Sequence, residues 1–320
     1  MNNKFEDFIN GRTYPKNEII NLLKKNNLDD EILELKYFPF KKIFVKVKKN
    51  SNENLLIKIS LDQYSIDLSK NERLGYFECN KFPYKKFNLP EYKAISVHNN
   101  YFIALIEEII GTKGNYFEFN KFYKMDFNQN FNYILVKDYL DSICSNLSEK
   151  SENEITNCLK LIVKNFKLKF GHISIPMDMS HGDFIHFNSI KSFKKKYIFD
   201  LEYFKKNRPY LHDAFHWFSL PLVSNVARYK KTKLLIYFLP FYLKRLINFF
   251  LKNYLIKFDF KDNNLFDILF SLYLIEKALF VNNQLNLLNI DELIGLEAKS
   301  LDKTILDIYI RLLLKLEKII

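Results

Sequence analysis

The segment Ser180-His181-Gly182-Asp183-Phe184-Ile185-His186-Phe187-Asn188, with Phe199-Asp200-Leu201-Glu202 downstream, constrains this chain more than any other feature. It reads His-x-Asp-x4-Asn, and a second acidic pair begins twelve residues after the asparagine. Asp183 and Asn188 are five residues apart, a span that one tight loop closes, so both side chains can reach the mouth of a single cleft. The stretch from Ile190 to Tyr197 suits a turn between two short strands, with Ser192 and Lys194-Lys195-Lys196 as its polar part. A strand Tyr197-Ile198-Phe199 would then deliver Asp200 beside Asn188.

That spacing matches a particular chemistry. Phosphoryl transfer asks a protein for positioning and charge neutralisation more than for covalent work. One carboxylate must reach the attacking hydroxyl while other oxygens hold Mg2+, which takes a few protein ligands and completes its shell with phosphate and water. His-x-Asp-x4-Asn alone is a weak pattern in a chain rich in Asn and Asp. Gly182 and the strand-borne Asp-x-Glu make coincidence a poor explanation.

These residues resemble the aminoglycoside phosphotransferase and choline kinase superfamily, the small-molecule branch of the protein-kinase-like fold. The His-Gly-Asp form resembles the phosphotransferases. Asp200-Leu201-Glu202-Tyr203 with Tyr210-Leu211-His212-Asp213 resembles the choline and ethanolamine kinase branch and related proteins of surface-polysaccharide metabolism. The resemblance implies Asp183 as catalytic base, Asn188 and Asp200 as magnesium ligands, and Glu202 as an auxiliary metal or water contact. It also implies that His181 supports the loop by hydrogen bonding and that Asp213 braces it from the following helix. ATP and Mg2+ are the implied cofactors. The implied fold is α+β and two-lobed, with a small β-rich N-lobe and a larger, mainly helical C-lobe. The specific matches run from about residue 54 to residue 218.

A nucleotide-binding lobe should then precede the loop. Lys42 to Lys48 alternates apolar and charged residues, the signature of a half-buried strand, and Asn50 to Asn54 is turn chemistry. Leu55 to Ile59 is a second strand carrying Lys58, like the V-A-I-K strand that meets the nucleotide phosphates. Ile66 to Cys79 reads as a helix in which Glu72, or else Glu78, would pair with Lys58. Tyr101 to Ile106 is an apolar strand leading into Glu107-Glu108-Ile109, the expected hinge against the adenine. No glycine occurs between Phe38 and Asn54, so a G-x-G-x-x-G phosphate loop is missing, and no G-x-x-x-x-G-K-[ST] element occurs either. The division is expected as residues 1–112, with a short N-terminal helical extension, and residues 113–320, with the boundary near Gly111 to Asn115.

At 320 residues the chain can bury a large core, and 48% hydrophobic with 27% charged residues is an ordinary globular balance. Cys79, Cys144 and Cys158 are too scattered for a disulfide framework or a zinc site, which suits a reducing cytoplasm. Met1 to Gly11 has no apolar run of the signal-peptide kind. Phe131 to Leu147, Glu152 to Phe170, Lys231 to Lys257, Leu265 to Asn282 and Ile290 to Lys318 show helical spacing of apolar residues.

Two rival signals remain. His212 and His216 sit at i and i+4 as in a zinc helix, but no third ligand is evident, and one packed and one exposed histidine is the plainer expectation. The basic run Arg228 to Lys233, continuing through Lys244-Arg245, Lys252 and Lys257, can lie on an anionic membrane face, although a solvated helix face is commoner. The net charge is +12, and from Asn207 onward sixteen Lys/Arg face eleven Asp/Glu. A pocket for polycationic aminoglycosides should be rich in acid. A neutral or anionic hydroxylated acceptor, a small molecule or a surface glycan, fits better; choline stays open because an aromatic box needs few residues. The spread-out charge and the lack of a recognised module argue against nucleic acid. A catalytically inactive, nucleotide- or partner-binding module is the reading from another class.

Overall fold

The computed structural model describes residues 16–28, 31–38, 42–48, 54–81, 88–97, 101–119, 131–145, 154–229, 242, 245, 263–287, 303–314 and 316. Met1 to Gly11, the turn at residues 50–53, nearly all of the basic run beyond Tyr229 and the start of the segment from Ile290 lie outside them. The chain divides into two compact units, Met1–Gly114 with Phe187–Phe204, and Asn115–His186 with Lys205–Ile320. The first unit thus takes in both the chain up to the expected boundary and the hairpin segment that follows Asn188.

Strand parity organises the first unit. β1 (Glu31–Phe38), β2 (Lys42–Lys48), β3 (Asn54–Ser60), β4 (Tyr92–Val97) and β5 (Phe102–Glu107) form an antiparallel sheet in the order β1-β2-β3-β5-β4. Alternate side chains take opposite faces of a strand. Ile43, Val45, Val47, Ile57, Ile59 and Ile103 therefore share one face, where they pack with Ile19 and Leu23 of α1 (Lys16–Lys25). Each such buried aliphatic side chain is worth roughly 1.5–3 kcal/mol. The register pairs Phe44 with Lys58 and Lys42 with Ser60, which puts both lysines on the other face. β1 is an addition to the expected order; β2, β3 and β5 fall where it put them.

α2 (Gln63–Asn80) starts at a capping box, in which Asp62 accepts from the Ser65 N–H at 2.7 Å and Ser65 Oγ accepts from the Asp62 N–H at 3.3 Å. Its buried residues Ser65, Ser69, Glu72, Tyr76 and Cys79 recur at helical spacing, so Glu72 faces inward. Gly75 on the same helix lets the segment Leu201–Phe204 come close: a Cβ there would lie 2.8 Å from Leu201 Cβ and 3.0 Å from Phe204 Cβ. Asn71 Nδ2 fastens that segment by donating to the carbonyls of Glu202 (2.6 Å) and Phe204 (3.0 Å). Gly75→Val should lower stability by about 1–3 kcal/mol through overpacking. Urea unfolding measures this, and an unchanged midpoint would show that the approach is not tight.

The hairpin after Asn188 consists of β9 (Ser189–Ser192) and β10 (Lys195–Ile198), and β9 also pairs with β6 (Thr112–Lys113). Its turn places the fully exposed Phe193 at φ 48°.

In the second unit, β7 (Asn132–Leu135), β8 (Ser174–Ser180) and β11 (Lys205–Pro209) form a sheet in the order β11-β8-β7. The helix expected over Phe131–Leu147 is shorter: residues 132–135 pair with β8, and α3 runs only over Val136–Cys144. A short apolar run such as Asn-Tyr-Ile-Leu does not distinguish strand from helix by periodicity, and pairing with β8 decides the matter. α4 (Glu154–Phe170), α5 (His212–Tyr229), α6 (Asn263–Leu287) and a helix over 303–314 complete the unit. α6 is buried continuously from Phe266 to Leu279, the charged Asp267, Glu276 and Lys277 included. No described helix is long and apolar enough to cross a membrane, and none of the three cysteines forms a disulfide.

Candidate active site

Two clusters of the expected residues form, one in each unit. In the first unit Lys58 is buried on β3, and its Nζ lies 2.8 Å from Glu72 Oε2 and 3.7 Å from Asp200 Oδ1. Glu202 Oε1 also contacts Lys58 Nζ, and Glu202 Oε2 contacts Lys42 Nζ. Burial works against the charge on Lys58, but the carboxylates of Glu72, Glu202 and Asp200 outweigh it and hold the ammonium above the ordinary lysine range. Glu202 likewise pays a burial cost, yet Lys58 and Lys42 hold it below the ordinary range. Burial raises Glu72, and Lys58 only partly offsets that.

Glu78 does not compete for Lys58; it pairs with Lys81 at 3.3 Å. Glu202, expected beside a metal, has both oxygens on lysines because α2 and Asn71 hold its backbone against the sheet face that carries them.

Asp200 leaves β10 with φ 69°, a left-handed conformation that Asp tolerates better than most residues. The Phe199 N–H donates to the Asn188 carbonyl at 3.2 Å, which brings the two ends of the hairpin segment together. Glu107 ends β5 and exchanges hydrogen bonds with Glu91; Glu108 pairs with Lys46 at 2.7 Å, and Ile109 is half-buried.

In the second unit β8 ends at Ser180 and the chain turns through His181-Gly182-Asp183. Gly182 stands at φ 84°, where any side chain would be strained. Asp213, at the start of α5, gathers this turn: its Oδ2 accepts from the His181 N–H at 2.8 Å. Its Oδ1 accepts from the Gly182 N–H at 3.0 Å and from Ser180 Oγ at 2.7 Å. Burial raises the proton affinity of Asp213, but the His212 ring 3.8 Å from Oδ1, then His181 and the Ser180 hydroxyl, outweigh it and keep it ionised. His181 Nδ1 accepts from the Asp183 N–H at 3.3 Å. Lys277 of α6 donates to the Gly182 carbonyl at 2.8 Å. Burial, with Arg208 nearby, pushes that ammonium down to about 8.

Asp183 itself is held by His216, whose Nε2 lies 2.8 Å from its Oδ1. Burial would raise Asp183, but the His216 hydrogen bond, then Lys277 and His181, bring it well below the carboxylate range. Burial pushes His216 down to about 4, so the ring is neutral near pH 7. A carboxylate only accepts, so Nε2 carries the proton and Nδ1 accepts from the Tyr273 hydroxyl 3.1 Å away. Both His212 and His216 are buried, not one packed and one exposed, because α5 is enclosed on all sides over its first two turns. Among the described residues no group of three or more His, Cys, Asp or Glu side chains is placed to hold a metal ion by itself.

No family model and no curated protein sequence matches the chain. Solved structures do match it. Amicoumacin kinase hAmiN, in complex with AMP-PNP, Ca2+ and Ami, aligns over 96% of both chains with a TM-score of 0.50 at 12% identity. A thermostable mutant of aminoglycoside phosphotransferase APH(4)-Ia in its apo form covers 91% of this chain and 97% of its own, with a TM-score of 0.54 at 10% identity. The ternary complex of a thermostable mutant of the same enzyme with AMP-PNP and hygromycin B covers 93% and 98%, with a TM-score of 0.51 at 10% identity. The chain has the aminoglycoside phosphotransferase kinase-like fold.

Within that kinase-like fold, His216, Lys277 and Lys42 are the contacts that sequence reasoning did not supply. His216 was legible in part, since Asp213 and His216 are three apart and share one helix face. Lys277 gave no local signal.

Proposed function

We propose that this protein transfers the γ-phosphoryl group of ATP to a hydroxyl of a small molecule or glycan. The observation that carries the reading is the buried Lys58–Glu72 pair at 2.8 Å with Asp200 3.7 Å from the same ammonium. With Glu202 they form a cation fixed by two buried acids and adjoined by a third that keeps exposed surface.

In this reading Lys58 neutralises phosphate oxygens, and Glu107 to Ile109 flank the adenine. Asn188 and Asp200 would hold Mg2+. Both offer hard oxygen donors, the Asp200 side chain retains 37% exposure, and Mg2+ asks for few protein ligands. When bound, the ion neutralises charge on the phosphates and the leaving group.

Asp183 orients the acceptor hydroxyl. As the hydroxyl oxygen bonds to the γ-phosphorus, the bond from that phosphorus to the bridging oxygen of ADP breaks. The hydroxyl proton passes to the Asp183 carboxylate and then to solvent. The depressed proton affinity of Asp183 suits a loose transition state, in which the proton leaves late. An acceptor that is neutral or anionic follows from the net positive charge of the C-terminal part, and surface-polysaccharide metabolism is the proposed setting.

His216 acts through Asp183. Loss of a hydrogen bond to a charged group costs about 1.5–3 kcal/mol. His216→Phe should therefore lower turnover roughly 10- to 100-fold with the KM for ATP little changed; steady-state kinetics reads both.

The reading itself is tested by incubating the protein with radiolabelled ATP, Mg2+ and a panel of choline, ethanolamine, free sugars, glycan fragments and aminoglycosides. Transfer of label to one acceptor class is expected. Failure to bind Mg·ATP at all by calorimetry would refute it.

A further inference from the structure

We propose that Lys42 is a second phosphate-binding lysine, which takes the place of the missing glycine-rich cradle. The inference rests on the ATP reading and goes beyond it. Lys42 is the first residue of β2, and it pairs with Phe38, the last residue of β1. The pairing of Lys42 with Ser60 and of Phe44 with Lys58 makes Lys42 and Lys58 diagonal neighbours on one sheet face. Their ammonium groups converge on the two oxygens of a single carboxylate, Glu202. The Lys42 side chain is 11% exposed and that of Lys58 1%.

A buried ammonium is costly unless paired and hydrogen-bonded. Lys58 already has Glu72 as a partner, so one further carboxylate is shared between two lysines. Two ammonium groups a carboxylate's width apart also match an anion with several oxygens, and the β- and γ-phosphates of a nucleoside triphosphate are such an anion.

The sequence explains why a side chain would serve. Close approach of backbone N–H groups to a phosphate calls for glycine, and residues 38–54 contain none. Lys42 supplies at the start of β2 the positive charge that such a backbone cradle would have supplied. Glu202 bridges the two lysines with its two carboxylate oxygens, as two oxygens of a polyphosphate would.

Binding of ATP, ADP, AMP and inorganic tripolyphosphate to the full-length wild type, Lys42→Met and Lys42→Arg tests this, by calorimetry with competition for weak ligands. Thermal unfolding of each variant is measured alongside. A charge-assisted contact of this kind corresponds to about a 10- to 100-fold change in affinity. Lys42→Met should weaken ATP and tripolyphosphate by that factor, ADP less, and AMP by under about two-fold. Lys42→Arg should recover most of the loss. An unchanged ATP affinity in Lys42→Met overturns the proposal, and so does an equal loss for ATP and AMP, which marks a structural ion pair. Wild-type protein that binds no nucleotide removes the parent reading and this proposal with it, so the two failures are told apart.

Discussion

Replacing Asp183 with Asn should reduce phosphoryl transfer by about 10^3-fold or more, at the upper part of the 10^2–10^4 range for a positioned acid–base group. ATP affinity should stay within about two-fold, because Asp183 serves the acceptor rather than the nucleotide. The substitution isolates charge from shape. Asn keeps a carbonyl oxygen that can accept the His216 Nε2–H now given to Asp183 Oδ1 at 2.8 Å. The loop is also held independently of that side chain, by Asp213 on the His181 and Gly182 N–H groups and by Lys277 on the Gly182 carbonyl. The variant should therefore fold, and its thermal midpoint should sit near that of the wild type. Turnover at the wild-type rate would remove Asp183 from the chemistry. Turnover lost together with ATP affinity would point to a collapsed loop instead.

Much of the first unit was legible because strand parity and lysine placement are local signals. The alternation from Lys42 to Lys48 matched β2 residue for residue, and the single lysine in the Leu55–Ile59 run is buried beside Glu72. The choice between Glu72 and Glu78 stayed open in the sequence; the structure settles it by putting Glu72 on the buried face of α2 with Ser65, Ser69, Tyr76 and Cys79. What the pattern could not carry was partnership across long sequence separation. Lys42 and Glu202 are 160 residues apart, and nothing local to either predicts that one carboxylate serves two lysines. His216 reads from sequence as a metal candidate or a packed ring. Its contact with Asp183 depends on α5 following β11 through Leu211 at φ 67°, a conformation that no propensity assigns to leucine. Residues 132–135 failed for a different reason: their strand exists only because β8 offers an edge, and its paired residues lie 39 to 45 positions downstream.

Asp200 offers the sharper separation of function from stability. Asp200→Gly should abolish Mg2+-dependent nucleotide binding, lowering affinity for Mg·ATP about 100-fold or more if its carboxylate is one of two protein ligands to the ion. Metal-free ATP binding should change far less. The same substitution should leave the protein as stable as before or raise stability by up to about 1 kcal/mol, since Gly occupies φ 69° without the penalty a Cβ incurs. Little is lost on the other side of the balance. Asp200 stands 3.7 Å from Lys58, is 37% exposed, and is the loosest of that ammonium's acidic partners, with Glu72 and Glu202 both nearer. Calorimetry with and without Mg2+ and urea unfolding read the two effects on the same sample. A residue that keeps a left-handed backbone only for packing would lose stability when replaced by Gly and leave Mg·ATP affinity intact. That pattern would remove Asp200 from the metal site and, with it, the main reason for placing Mg2+ at the end of β10.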